Sequence, residues 1–210
     1  MIGSRLDALC DINPESLGPD AATAFEFRYL DISAVTLGVI DWDATRLVGF
    51  EDAPSRARRL LRAGDVLLCT VRPSLQAHCR IHSVRAESLV ASTGFAVLRP
   101  HDPADSGFIF HQIFSDQVAS QLRALETGSN YPAVNERDVR GLFFYAPVSE
   151  ERTRIAAVLD VVDEAIAQTQ AVIAKLKQVR TGLLHDLLTR GLDENGCNPS
   201  SAPATRPVAV

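Results

Sequence analysis

Between Arg56 and Ala86 the sequence places seven arginines (Arg56, Arg58, Arg59, Arg62, Arg72, Arg80, Arg85) against a single acid, Asp65. Counting formal charges, this segment carries about +6 at neutral pH, in a chain whose net charge is −5. A guanidinium is a planar fork that neutralises phosphates with release of counterions and meets O6 and N7 of guanine with two parallel hydrogen bonds. Arg72-Pro73-Ser74-Leu75-Gln76 reads as an exposed loop after a strand and sets a fork beside an amide. Gln pairs with adenine, and Ser reaches phosphate or base. A second polar loop, Gly128-Ser129-Asn130-Tyr131-Pro132, adds an aromatic, although a plain turn explains it equally well. The candidate DNA-contacting side chains are therefore Arg56, Arg58, Arg59, Arg62, Arg72, Ser74, Gln76, Arg80, Ser129, Asn130 and Tyr131. The competing reading of the arginines is a solvated face laced with salt bridges. Of the 21 basic residues only Lys175 and Lys177 are lysines, a bias that a GC-rich genome also produces.

Catalytic constellations are missing. No glycine-rich phosphate loop of the dinucleotide or Walker type occurs, and no Asn/Asp-Pro-Pro-aromatic segment of an amino-methyltransferase. A metal-dependent nuclease of the usual acid-plus-lysine kind needs a lysine beside its carboxylates, and the only two lysines lie on the long helical segment. Cys69, His78, Cys79 and His82 cluster, but their spacing is not that of a zinc finger or ribbon, so no metal site is assigned. Cys69 sits in an apolar run and reads as a core residue. The four cysteines show no paired spacing, which favours free thiols in a reducing cytoplasm. No apolar run approaches the roughly 20 residues of a membrane span, and the N-terminus has no signal-peptide pattern.

The elements that must position these side chains fall into three regions. Residues 1–147 mix short β-like runs with turns: strands at 27–32, 66–71, 80–84, 95–98 and 142–145, and helices at 54–62, at 108–125 and from an Asn135 cap to Gly141. Residues 148–190 form one long helix. Residues 191–210, with three prolines and no periodicity, read as a disordered tail. In the helix, Ile155, Leu159, Val162, Ile166, Thr169, Ile173, Leu176, Arg180, Leu183 and Leu187 are spaced 4-3-4-3-4-3-4-3-4. A period of 3.5 draws an apolar stripe that packs on another helix. Its length of about 60 Å exceeds the diameter of a small domain, so the helix is expected to project from the head. A helix folded back on its own domain is the other reading. The dimerisation set is Ile155, Leu159, Val162, Ile166, Ile173, Leu176, Leu183 and Leu187, with Thr169 and Arg180 able to set register.

Five segments in order carry a resemblance: Gly64-Asp65-Val66-Leu67-Leu68, Thr70-Val71-Arg72-Pro73, Ser92 to Pro100, Gly128 to Val134, and Ala146-Pro147-Val148-Ser149-Glu150-Glu151-Arg152 running into the long helix. Together they resemble the target recognition domain and following helix of the specificity subunits of type I restriction–modification systems. The resemblance covers most of residues 1–192. It implies an α+β fold, in which a mixed α/β recognition domain is followed by one long helix forming an antiparallel coiled coil. It further implies a non-catalytic, cytoplasmic subunit that reads double-stranded DNA, without a cofactor of its own. Modification subunits, which bind S-adenosylmethionine, would methylate adenine, and a restriction subunit would cleave.

The usual Pro-Pro-Leu and Glu-Gln near the helix start are here Ala-Pro-Val and Glu-Glu-Arg. Family members usually hold two recognition domains and two helices, and this chain has one of each. A half-length chain with a self-complementary stripe is expected to form a homodimer, or to pair with another half-length subunit. The alternative from a different class is a coiled-coil scaffold or decoy that binds modification subunits without reading DNA. An enzyme with an unrecognised site is the third reading.

Overall fold

A computed structural model describes residues 3–18, 26–83, 87–128 and 131–191. The predicted strand end at Val84, and Arg85, Ser129, Asn130 and residues 192–210 of the predicted tail, lie outside the described residues. In chain order the strands and helices are β1 (Gly3–Arg5), β2 (Cys10–Ile12), β3 (Glu26–Leu30), β4 (Val35–Thr36), β5 (Val39–Ile40), β6 (Arg46–Gly49), β7 (Ala57–Leu61), β8 (Val66–Cys69), β9 (Cys79–Arg80), β10 (Ser88–Ser92), β11 (Phe95–Pro100), α1 (Ser106–Ile113), α2 (Asp116–Leu125), α3 (Glu136–Gly141), β12 (Phe143–Tyr145) and α4 (Ser149–Arg190). The chain forms two compact units that divide after Asp160.

Two four-stranded sheets dominate the first unit. Their orders are β2-β11-β8-β9 and β6-β3-β10-β7, and only the β3–β10 pair is parallel. The run Val66-Leu67-Leu68-Cys69 is apolar throughout because β8 is buried on both faces, and strand alternation sorts it. Val66 and Leu68, with Ala96 and Leu98 of β11, pack under α1, α2 and α3. Leu67 and Cys69, with Phe95 and Val97, face Leu30, Leu61, Leu89 and Ala91 of the second sheet. The far side of that sheet buries Phe27, Tyr29, Ala57 and Val90.

Two predicted helices differ. The helix expected to open at Pro54-Ser55-Arg56 and end near Arg62 does not form: Ala57–Leu61 is a strand paired antiparallel with β10. Burying Ala57 and Leu61 in two different cores outweighs a weak local helix preference. The helix expected over 108–125 is broken into α1 and α2, because Ser115 leaves the helical conformation and its hydroxyl accepts the Val118 N–H as an N-cap. The Asn135 cap is present: its side-chain oxygen accepts the Asp138 N–H at 2.9 Å.

The first turns of α4 belong to the first unit. Ile155 and Ala156 join the core under α1, and Gly107 lets the two helices approach, since a Cβ there would lie 3.0 Å from that of Ala156. Arg152 clamps the buried Asp105 carboxylate through Nε and Nη2, at 2.7 and 2.8 Å. Along the second unit the helix runs unbroken to Arg190, and Gly191, with φ of +72°, donates its N–H to the Leu187 carbonyl. No helix among the described residues is long and apolar enough to cross a membrane.

Candidate nucleic-acid interface

At the end of β8 the chain is zipped to a distant segment. Val134 N–H donates to the Thr70 carbonyl at 2.9 Å, Val71 bridges Ala133, and Arg72 N–H donates to the Pro132 carbonyl at 2.7 Å. These bonds set the Arg72 loop beside Tyr131, some sixty residues later in the chain. Pro73–Leu75 then forms a single 3-10 turn with Pro73 buried. Arg72, Ser74 and Leu75 are exposed and Gln76 is half-buried. The Arg72 guanidinium carbon lies 4.7 Å from the centroid of the Tyr131 ring.

Behind the loop Ser74, Gln76 and His78 line a cavity of about 180 Å³ together with Arg123 of α2. His78 is the floor of this arrangement. Its Nδ1 accepts the Cys69 N–H at 3.0 Å, and its ring meets Phe114 edge-on. Burial lowers its pKa to about 4, so the imidazole is neutral and can accept that bond. Arg123 carries the same chemistry as the predicted set but was not among them. It lies fifty residues from the loop on a helix that looks ordinary in sequence, and only the packing of α2 brings it there.

The structure brings together Arg72, Ser74, Gln76 and Tyr131 of the sequence candidates. The remaining arginines of the set lie elsewhere, each against its own partners. Arg56 meets Asp31 at 2.8 Å and donates from Nε to the Tyr29 hydroxyl. Arg58 lies over the Phe50 ring at 5.3 Å. Arg59 donates to the Ser16 hydroxyl, and burial lowers its pKa. Arg62 pairs with Glu15. Arg80 is largely buried, paired with Asp160 at 3.0 Å and placed 5.6 Å from the Phe110 centroid. Asp160 also accepts a contact from His111 Nε2 at 2.8 Å, and both partners hold its carboxyl below the usual range against the opposing effect of its burial.

Cys10, Cys69 and Cys79 are core residues in the structure. Burial pushes Cys10 up to about 12 and Cys69 up to about 11, and raises Cys79 further. Among the described residues, no group of three or more His, Cys, Asp or Glu side chains could hold a metal ion.

The second surface is the apolar stripe of α4. Leu159, Val162, Ile166, Ile173, Leu176, Leu183 and Leu187 are all exposed, Ile166 to 50% and Leu176 to 61%. Ile155, expected in the same set, is half-buried against the core of the first unit. Val158, Val172 and Val179 flank the stripe and are exposed too. A contiguous exposed apolar face of this length is a feature of interaction surfaces.

No protein-family model matches the sequence, and comparison with curated proteins finds no match. Solved structures do match. A chain from a structure of complex assembly and conformational transition of the type I R-M system is 30% identical, with a TM-score of 0.68 over 97% of this chain and 51% of that one. The HsdS subunit from Thermoanaerobacter tengcongensis is 27% identical, with a TM-score of 0.67 over the same shares. The type I restriction–modification S subunit from M. genitalium shares the fold at 18% identity and a TM-score of 0.54, over 92% of this chain and 46% of that one. The chain spans about half the length of the structures it matches. It is similar, over nearly all of that span, to type I restriction–modification specificity subunits.

Proposed function

We propose that this chain is a recognition half of a type I restriction–modification specificity subunit, a DNA-reading head on a helix that pairs with a second copy. The observation that carries this reading is likeness over 97% of the chain to half of two larger chains at 30% and 27% identity. The tip of exposed Arg72, Ser74 and Tyr131 and half-buried Gln76, with Arg123 behind it, supplies forks, an amide, a hydroxyl and an aromatic face for base edges and phosphates. The chain's own part is recognition. Adenine methylation, with S-adenosylmethionine, belongs to modification subunits that it directs, and cleavage to a restriction subunit, all acting on cytoplasmic DNA.

The α4 stripe supplies the second half of the reading. In heptad terms Leu159, Ile166, Ile173, Arg180 and Leu187 occupy a, and Val162, Thr169, Leu176 and Leu183 occupy d. Two copies related by a two-fold axis across this face pack antiparallel, a against d, through the same patch on each. The two heads then stand at opposite ends of the coil and read the same half-site in inverted orientation. A register centred near residue 171 sets Ile166 on Leu176 of the second copy and Leu159 on its Leu183. In the flanking e positions it sets Asp163 against the opposing Lys177.

The test is a gel shift at low salt on double-stranded DNA, with and without a modification subunit, beside light scattering of the chain alone. The reading expects a dimer and retention of DNA that the modification subunit strengthens. A stable monomer at micromolar concentration overturns the pairing. A complex with the modification subunit that retains no DNA overturns the recognition role and leaves a scaffold.

A further inference from the structure

Two non-glycine residues bracket the tip in the left-handed conformation, Arg72 at φ 49°, ψ 55° and Gln76 at φ 49°, ψ 39°. L side chains adopt this region at a cost, and it persists where the surroundings impose it. Here they do. Arg72 N–H is tied to Pro132, the Arg72 carbonyl accepts the Leu75 N–H at 2.9 Å, and Pro73 is buried beneath. The segment that supplies the Pro132 carbonyl also supplies Tyr131, the neighbouring residue, whose ring is 71% exposed and lies 4.7 Å from the guanidinium carbon. One set of backbone bonds therefore fixes both partners of the stack.

A guanidinium stacked on a ring uses its face, while its N–H groups lie along its edge, in the plane. Contact with a phosphate needs only charge, which a mobile lysine delivers. A fork held over a ring is restricted in the directions its edge can take and is suited to an acceptor pair in one plane, and in the major groove guanine O6 and N7 are that pair. We infer that Arg72 and Tyr131 form a single guanine-reading unit, in which Tyr131 is the positioning residue that orients the Arg72 fork. The inference rests on the DNA-recognition reading and adds to it the base class and the residue that sets selectivity. In a two-fold dimer it places one such guanine in each half-site.

The experiment selects bound duplexes from a pool of randomised double-stranded DNA, using the full chain with a modification subunit. It compares wild type, Arg72→Lys, Tyr131→Ala and Tyr131→Phe, and records the salt dependence of binding to the selected sequence. Wild type is expected to enrich guanine at one position of each half-site. Tyr131→Ala is expected to lower that preference roughly tenfold while leaving the slope of binding against salt unchanged, because no phosphate contact is lost. Tyr131→Phe should keep the preference, and Arg72→Lys should lose it while keeping the charge. Tyr131 is exposed, so unchanged melting of its variants is expected and separates orientation from folding. Guanine enrichment intact in Tyr131→Ala overturns the unit while leaving the recognition role standing. So does a uniform loss of affinity with a salt slope smaller by about one, which would mark a phosphate clamp. A wild-type chain that binds DNA without enriching any base overturns the recognition role itself.

Discussion

The charges flanking the α4 stripe allow its pairing to be tested by reversal. In an antiparallel coil centred near residue 171, each Asp163 faces the opposing Lys177, and the two-fold axis makes two such pairs. Both residues lie on the exposed length of the helix, where an ion pair contributes about 0.5 kcal/mol. Asp163→Lys replaces two attractions with two lysine–lysine repulsions of similar size. The dimer should weaken by about 2 kcal/mol, or roughly thirtyfold in Kd. Lys177→Asp should act alike. The double variant recreates both pairs with the signs exchanged and should return to within about threefold of wild type. Sedimentation equilibrium at low ionic strength measures this. Near 1 M salt, where the screening length falls to about 3 Å, the four proteins should converge. A double variant no tighter than either single refutes the register. A coil slid by one heptad behaves in that way, since it sets Asp163 against Leu184 of the second copy and Thr169 against its Arg180.

Replacing Ile166 and Ile173 together by Asp should abolish the dimer in light scattering while leaving the melting of the first unit unchanged, since both residues lie beyond Asp160. Arg152→Ala strips the buried Asp105 of its bidentate partner and should cost about 3–5 kcal/mol, seen by calorimetry as a drop in Tm of roughly 6–20 °C. His78 titrates near 4 in the folded protein and near its ordinary value when unfolded. The unfolded chain therefore takes up this proton first as pH falls. The stabilisation is complete above about pH 6.5 and is lost down to about pH 4. His78→Gln should flatten that limb of the stability profile, measured by urea unfolding between the two pH values. A limb of equal slope in the variant would mean that His78 is not the group responsible.

The legible parts of this chain are those whose cause is local. The stripe of α4 is a spacing, and spacing survives without tertiary context, so the unbroken helix over Ser149–Arg190 followed from residues alone. The Asn135 cap and the buried run of β8 were legible for the same reason. The Ser115 cap was equally local, but apolar periodicity running across it concealed the break. Residues 57–61 escaped the sequence because Pro54-Ser55-Arg56 resembles a helix start, whereas their partner, β10, lies some thirty residues away and contributes nothing to local propensity.

The arginine cluster divides along the same line. Its composition determined that a positive segment exists in an acidic chain. It carried no information about which arginines would find partners within the chain, because Glu15 and Ser16 follow β2, Asp31 follows β3, and Asp160 lies on the long helix. What sequence determined alone was the period of one helix, the sign of one segment and the order of five short motifs. Tertiary structure decided which arginines meet acids within the chain and set Arg72 beside Tyr131. That placement depends on two backbones far apart in the chain being bonded at 2.7 Å, and long-range closure of that kind leaves no periodic trace in the residues it joins.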